Sequence, residues 1–319
     1  MANRGKARPL RIGVLDLGSN TVLLLVIEAD GRVIRDTSRI TRLGQGVFAR
    51  GALAPEAALR TRAAIAEFAA EARSDGVARL VAVGTEALRR ARDGDAFLAG
   101  LVRDGLVDAA RLLSGAEEAV VTVEATRQRI GRDRDALAVI DVGGGSTEIA
   151  WRERLDAPIE GLSLPLGSVR LTEALLPQHP VPTTDLARVR AEVQRVSEPL
   201  ASALPRGMPE TAAVVAVAGT ATTLAALELA LEPYDAERVE GFELATSRLT
   251  VWAERLAKLG VAERRELPGL EPGRADVIVA GLLVLEGVLA RLHARRFAVS
   301  GRGVRHGVAL RVLAGQMVI

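Results

Sequence analysis

The chain has 319 residues, 49% of them hydrophobic, and is therefore long enough for two domains with apolar cores. It contains no cysteine and only three histidines, which excludes thiolate catalysis and Cys-ligated zinc and leaves little material for a Ser-His-Asp triad. The net charge is only +2 and aromatic residues make up 3%, which argues against a stacking platform for single-stranded nucleic acid. Chemistry must rely on carboxylates, arginines and backbone amides, and no nucleic-acid partner is expected.

The first predicted element is a hairpin at residues 11–28, RIGVLDLGSNTVLLLVIE, in which a turn containing Asp16 and Gly18 joins two apolar strands. A helix follows that begins with Pro55 and stops near Gly76. The elements predicted next are a strand at 78–85, a helix carrying Arg89, Arg90 and Arg92, a helix at 115–130, and a second hairpin at 137–151.

Strands and helices continue to alternate after residue 151. Residues 177–184, PQHPVPTT, read as a proline-rich loop in which Thr183 and Thr184 are expected N-caps. The elements predicted here are a strand end and helix at 164–175, a helix at 185–204, a strand, turn and helix at 212–231, a helix at 275–294, a strand at 296–300 and a helix at 303–315. This alternation predicts the α/β class.

The two hairpins resemble each other. The second, LAVIDVGGGSTEIAW, again places Asp-x-Gly between apolar strands. The matched pairs are Asp16 with Asp141, Gly18 with Gly143, and Thr21 with Ser146. Two such hairpins about 125 residues apart indicate a duplicated domain.

Each glycine-rich turn lets backbone amides approach a ligand without interference from a Cβ atom, and successive N–H groups can form a nest for phosphate oxygens. The expected phosphate contacts are the turns at 18–20 and 143–146, namely Gly18, Ser19, Asn20, Gly143, Gly144, Gly145 and Ser146. A third turn, VAGTATTLAAL at 217–227, would direct a helix N-terminus at the ligand. The aspartate at a strand end is suited to Mg²⁺, which prefers oxygen ligands.

Alternative interpretations stay open at this point. One glycine-rich turn alone is as well explained by a tight hairpin, with Asp16 capping its own turn, although three consecutive glycines are harder to explain in this way. Glu148 is either an exposed strand residue or shares a cleft with Asp141. Glu117 and Glu118 lie on a predicted helix, and spacing does not choose between them.

The longest apolar stretch, VIVAGLLVL at 277–285, is shorter than the ~18 residues that a membrane span needs. We therefore expect a cytoplasmic protein without a membrane partner. The apolar helix at 277–292 is a candidate surface for a homodimer.

Eight motifs resemble the exopolyphosphatase/guanosine pentaphosphate phosphohydrolase family, in order and over nearly the whole chain. They are DLGSNT, GTEALR, SGAEEA, DVGGGSTE, LPLGSVRLTE, VAGTATT, GRADVI and SGRGVRHG. The resemblance implies two ribonuclease-H-like domains of the actin, sugar kinase and Hsp70 superfold, flanking an active-site cleft. It implies a first domain at 1–124, a second at 125–302, and a closing helix at 303–319 packed back on the first. The chain is similar to the short form, which lacks extra C-terminal domains.

The resemblance also assigns roles. It implies that Glu118 activates water, and that Asp141 and Glu148 hold Mg²⁺, with Mn²⁺ as an alternative, and position the water. The phosphate-binding positions that it implies are Arg89, Asp16, Ser19, Asn20, Gly219 and Thr220. The chain departs from the family pattern at His306, where an acid is usual, at Ser168, where cysteine is common, and in GTEALRRAR, which differs from Thr-Ser-Ala-x-Arg.

The expected function is Mg²⁺-dependent hydrolysis of the terminal phosphoanhydride of inorganic polyphosphate, with pppGpp as a further substrate. Two other classes remain. An actin-like small-molecule kinase would transfer phosphate from ATP to an acceptor, and a non-catalytic sensor would bind polyphosphate or pppGpp without releasing phosphate.

Overall fold

The structure is a computed structural model that describes residues 10–132, 134–317 and 319. It contains two sheets, each surrounded by helices. The first sheet has the strands β1 Arg11–Leu17, β2 Thr21–Glu28, β3 Val33–Ile40, β4 Arg79–Gly84 and β5 Ala109–Leu112. The second has β6 Leu137–Val142, β7 Thr147–Arg152, β8 Glu160–Leu164, β9 Ala213–Val217, β10 Glu243–Ala245 and β11 Arg296–Ser300.

Both sheets have the same strand order. In the first it is β3-β2-β1-β4-β5, with antiparallel pairs from β3 to β1 and parallel pairs from β1 to β5. In the second, β8-β7-β6-β9-β11 repeats this pattern, and β10 adds an antiparallel edge. The repeated order confirms the predicted α/β class with two ribonuclease-H-like domains.

The helices of the first part of the chain are α1 Val47–Arg50, α2 Pro55–Ser74, α3 Glu86–Arg90, α4 Gly94–Arg103 and α5 Gly115–Arg127. Those that follow are α6 Ser168–Leu175, α7 Thr183–Val196, α8 Glu198–Ala203, α9 Ala218–Glu228, α10 Ala236–Val239, α11 Ser247–Ala257, α12 Val261–Arg265, α13 Ile278–Arg291 and α14 Val304–Leu313. No helix of the described residues is long and apolar enough to cross a membrane.

Several sequence-based boundaries were wrong. The helix expected to carry three arginines ends at Arg90, so Arg92 follows it. Thr183 and Thr184 lie inside α7, whose N-cap is Pro182. The helix expected at 185–204 ends at Val196 and restarts as α8. Pro199 enforces this break, because proline cannot continue a helix interior.

The helix proposed as a dimer surface is buried. Ten of the fourteen residues of α13 have almost no exposed surface, and nine of them, including Ile278 and Leu289, belong to the core around the second sheet. Its apolar sequence is therefore explained by packing inside one domain. The expectation that the segment 277–292 forms a homodimer surface was wrong.

The last helix, α14, packs on β1, β2 and α5. Val304 and Val308 share a core cluster with Val14 and Val81 of the first sheet and with Val121 of α5. α5 in turn packs on β6, β7 and β8. The division of the chain at residue 124 stays a prediction, and residues 1–9 of its first domain lie outside the described residues.

Replacing Gly307 with alanine is expected to lower the free energy of unfolding by about 1–3 kcal/mol. A Cβ atom at this position of α14 would overlap the carbonyl oxygen of Val121 in α5, so the two helices would have to separate. Urea unfolding of Gly307→Ala measures the loss. The control is Gly303→Ala at the start of the same helix, where a Cβ would meet no atom within 4 Å among the described residues. Equal effects of the two variants would contradict the close helix contact.

Candidate active site

The two hairpin turns have the same backbone geometry. In the first turn, residues 18–20, the N–H of Gly18 donates to the carbonyl of Thr21 at 3.0 Å. In the second turn, residues 143–146, the N–H of Gly143 donates to the carbonyl of Ser146, also at 3.0 Å. The duplication inferred from sequence therefore extends to individual hydrogen bonds.

The glycines of the second turn are required by close contacts. A Cβ at Gly144 would lie 3.0 Å from the Cβ of Ser19 in the first turn, and one at Gly145 would lie 3.0 Å from the Cγ of Glu86 and closer still to Phe48. The two turns thus meet face to face. None of Gly143, Gly144 and Gly145 has a positive φ, and the phosphate-binding role expected for this turn stays a prediction.

The turns nevertheless present unused donors. Within the described chain, the backbone N–H groups of Ser19, Asn20, Gly144 and Gly145 donate no hydrogen bond to another backbone group or to a side chain. Both amide atoms of the Asn20 side chain are buried, and they have no hydrogen-bond partner among the described residues. An unpaired buried amide costs about 1–3 kcal/mol, which a ligand that accepts and donates hydrogen bonds would recover.

Asp141 and Glu148 are direct cross-strand partners on β6 and β7, which places their side chains on the same face of the sheet. The hydroxyl of Ser146 donates to Glu148 Oε1 at 2.6 Å, and that of Ser163 on β8 donates to the same oxygen at 2.8 Å. Glu148 Oε2 accepts no hydrogen bond from the described residues. One oxygen of this carboxylate is therefore fixed and the other is available.

Asp16 occupies the position on β1 that Asp141 occupies on β6. Burial raises the pKa of Asp16 to about 6, with Arg305 opposing the shift and Glu148 adding to it. Burial also raises the pKa of Asp141 to about 8, helped by the charges of Glu148 and Asp16 and opposed by Arg305. The close approach of Gly144 to Ser19 brings the ends of the two hairpins together, and their acids raise the pKa values of one another.

Asp16, Asp141 and Glu148 form the acid cluster of the site. Glu118, at the start of α5, is the glutamate that faces this acid cluster. Burial raises its pKa well above the ordinary value, and the charge of Glu148 adds to the shift, while Arg89, which forms an ion pair with Glu118, opposes it. Glu117 has a different role, because its carboxylate completes a capping box with Ser114. The structure thus distinguishes Glu118 from Glu117, which their spacing in the sequence could not do.

The contribution of Asp141 to the free energy of unfolding of the metal-free protein is expected to fall as the pH rises from about 4 to about 8. The pKa of Asp141 is raised from 3.8 to about 8, so the folded chain retains a proton in this window that the unfolded chain has lost. The stabilisation is complete below pH 3.8 and disappears as the pH passes 8. Thermal unfolding in chelator across this window measures it, and a pH-independent midpoint would show that Asp141 titrates normally.

The guanidinium of Arg89 is bound by two acidic side chains. Its Nη2 donates to Glu86 at 2.8 Å, and its Nη1 donates to Glu118 and to the carbonyl of Leu113. The role expected for Arg89, phosphate binding, stays a prediction.

The third turn lies beside another arginine. A Cβ at Gly219 would overlap the guanidinium of Arg274, and the Thr220 hydroxyl is 3.5 Å from the carbonyl oxygen of Val142. Arg274 Nη2 lies 3.5 Å from the hydroxyl of Thr21 in the other domain. The phosphate-binding roles of Gly219 and Thr220 also stay predictions.

Sequence reasoning missed two site arginines, Arg274 and Arg305. Arg305 forms two hydrogen bonds to Asp36, at 2.7 and 2.8 Å, and its charge lowers the pKa of both Asp16 and Asp141. Arg274 lies in the motif GRADVI and Arg305 lies in SGRGVRHG, so these motifs could have identified both arginines. The neighbouring His306 is buried, and burial together with the charges of Arg305 and Arg302 lowers its pKa well below the ordinary value.

The donor set fits a magnesium ion that retains water. Asp141 and Glu148 supply adjacent oxygens, and burial raises the pKa of both carboxyls, so a bound cation would favour their ionised forms. The described residues contain no group of three or more acids or histidines that would hold a metal by themselves. Mg²⁺ commonly uses one or two carboxylates and completes its shell with water and substrate phosphate.

Polar contacts also join the two domains around the turns. Arg42 forms an ion pair with Asp276 at 2.8 Å, and the N–H of Gly46 donates to Glu173 at 3.1 Å. The two domains are therefore in contact beside the turns.

The two repeated sheets, with buried acids at the ends of equivalent strands, define a protein of the actin-like superfold. Residues 26–315 match the model of the Ppx/GppA phosphatase family. The chain belongs to this family, which confirms the family predicted from the motifs and the prediction of a phosphoanhydride hydrolase.

Individual relatives and solved structures support this family assignment. Exopolyphosphatase 2 of Mycobacterium tuberculosis is 33% identical over 94% of this chain and 98% of its own length. The crystal structure of the Aquifex aeolicus Ppx/GppA family member has a TM-score of 0.77 and 29% identity, covering 97% of this chain and 99% of its own. An exopolyphosphatase structure from Cytophaga hutchinsonii, 24% identical, has a TM-score of 0.86 over 96% and 99% of the two chains, which supports the fold.

Proposed function

We propose that the protein is an exopolyphosphatase that removes terminal orthophosphate from inorganic polyphosphate in a Mg²⁺-dependent reaction, and that pppGpp is a second substrate. The observation that carries the proposal is the convergence of Asp16, Glu118, Asp141 and Glu148 beside two turns with unused amide donors. The names of the relatives support polyphosphate as the substrate class.

Asp141 and Glu148 would hold the metal, which, when bound, neutralises charge on the terminal phosphate and so lowers the barrier to in-line displacement. Ser146 and Ser163 fix one oxygen of Glu148 and leave the other for this task. The donors of the first and second turns would bind non-reacting phosphate oxygens.

Glu118 would accept the proton of the attacking water at its carboxylate. Burial raises its pKa, which favours uptake of a proton, and the ion pair with Arg89 holds the side chain in place. The shortened polyphosphate then has a new terminal group, on which hydrolysis can repeat.

The test is phosphate release from polyphosphates of several lengths and from pppGpp, with Mg²⁺, with Mn²⁺ and with chelator. We expect metal-dependent orthophosphate release without an added acceptor. ADP formation from ATP that depends on an acceptor would indicate a kinase instead. Saturable binding of polyphosphate without release would indicate a sensor.

A further inference from the structure

Glu86 is a buried acid of the cleft to which neither the sequence motifs nor the proposed mechanism assigns a role. It is the first residue of α3 and is only 7% exposed. Its Oε2 accepts from Arg89 Nη2 at 2.8 Å, and its Oε1 accepts from Arg90 Nε at 2.8 Å. Because Arg89 Nη1 donates to Glu118, the carboxylates of Glu86 and Glu118 hold one guanidinium from two sides.

Glu86 also lies against the second turn. Its Cγ is 3.0 Å from the position that a Cβ at Gly145 would occupy. The side chain of Glu86 therefore lies between Arg89 in one domain and the second turn, which belongs to the other. A solvated surface glutamate would not occupy this position.

The donors of Arg89 are largely used. A guanidinium has five N–H groups, and those of Nη1 bind Glu118 and the Leu113 carbonyl while Nη2 binds Glu86. Arginine normally binds phosphate through two parallel N–H groups. The Nε–H and the second N–H of Nη2 donate to no described residue, but Nη2 is the atom that Glu86 also binds, so a phosphate on this edge of Arg89 meets the negative charge of Glu86.

We infer that Glu86 is a positioning residue: it holds Arg89 against Glu118 and competes with the phosphate chain for the same guanidinium. This inference rests on the proposed function, because it takes Glu118 as the base and polyphosphate as the anion. Glu86 thereby keeps the base Glu118 in place but weakens the binding of polyphosphate. Removing the charge of Glu86 should make Glu118 less fixed and should tighten the binding of polyphosphate.

The experiment measures kcat, KM and the dissociation constant for polyphosphate of one defined length in wild type and Glu86→Gln. We expect kcat to fall about tenfold, because Glu118 loses its fixed partner, while KM and the dissociation constant fall about threefold, because Arg89 becomes available to phosphate. A purely structural role would reduce the folded fraction and would not tighten binding.

The matched control is Glu192→Gln. Glu192 pairs with Arg195 at the same helical spacing, through hydrogen bonds of 2.9 and 2.7 Å, but on α7, which carries none of the site residues. We expect its constants to equal those of wild type. Glu86→Asp is a second variant that keeps the charge on a shorter side chain, so kcat should fall while KM stays near wild type.

The outcomes separate the two hypotheses. If Glu86→Gln has unchanged constants or weaker binding, or if Glu86→Asp keeps full kcat, the inference about Glu86 is wrong. If the wild type releases no phosphate from polyphosphate, the proposed function is wrong, yet tighter polyphosphate binding by Glu86→Gln would still support competition for Arg89.

Discussion

Glu118→Gln is expected to reduce phosphate release from polyphosphate by a factor of about 10²–10⁴, the usual contribution of a general base, without weakening polyphosphate binding. Glutamine keeps the size of the side chain but cannot accept the proton of the attacking water. The buried position of Glu118 beside Arg89 leaves little room for another group to replace it. Steady-state kinetics and a direct binding titration measure the two effects separately.

The neighbouring residue provides the control for this experiment. Glu117 accepts hydrogen bonds from the backbone and hydroxyl of Ser114 in a capping box, which glutamine can also complete. Glu117→Gln should therefore keep nearly full activity, with a small loss of stability because Arg111 loses its ion pair with Glu117. Near-normal phosphate release by Glu118→Gln would show that the proton goes elsewhere.

Asp141→Asn is expected to lower metal-dependent activity by about 100-fold or more and, at pH 8, to stabilise the metal-free protein against unfolding. The activity falls because a metal ligand loses its charge. The stability rises because the change removes a buried carboxylate whose pKa is raised to about 8, and which is repelled by Glu148 and Asp16. Metal titrations of phosphate release and thermal unfolding in chelator measure the two effects.

An acid in the opposite environment serves as the control. A hydrogen bond from Arg35 lowers the pKa of Asp75, so this carboxylate stabilises the folded chain when it is ionised. Asp75→Asn should therefore destabilise the protein and leave catalysis intact. If Asp141→Asn lowered stability in the same way, Asp141 would have to be paired with a cation in the folded protein.

The local parts of the site could be predicted from the sequence. Asp16 and Asp141 each follow a short apolar stretch and precede a glycine turn, so a few adjacent residues determine both the strand end and the turn. The equivalence of the two hairpins followed from comparing these segments. The alternation of strands and helices likewise sufficed for the fold class.

Features that depend on distant segments could not be predicted. Glu86 reads as an ordinary partner of Arg89 and Arg90 at helical spacing, and only the folded chain places it beside Gly145. Arg305 joins the cluster from a helix that follows the entire second sheet. The mainly exposed edge strand β3, VIRDTSRI, was missed because polar residues interrupt its apolar pattern.

The position of α14 has a consequence for synthesis on the ribosome. The apolar face of β1, near the beginning of the chain, is covered by Val304 and Val308, which are translated only after the second sheet is complete. A nascent first domain therefore leaves this face open to proteases and chaperones until α14 emerges and docks. The second domain, whose core contains no residue of the first sheet, can fold earlier.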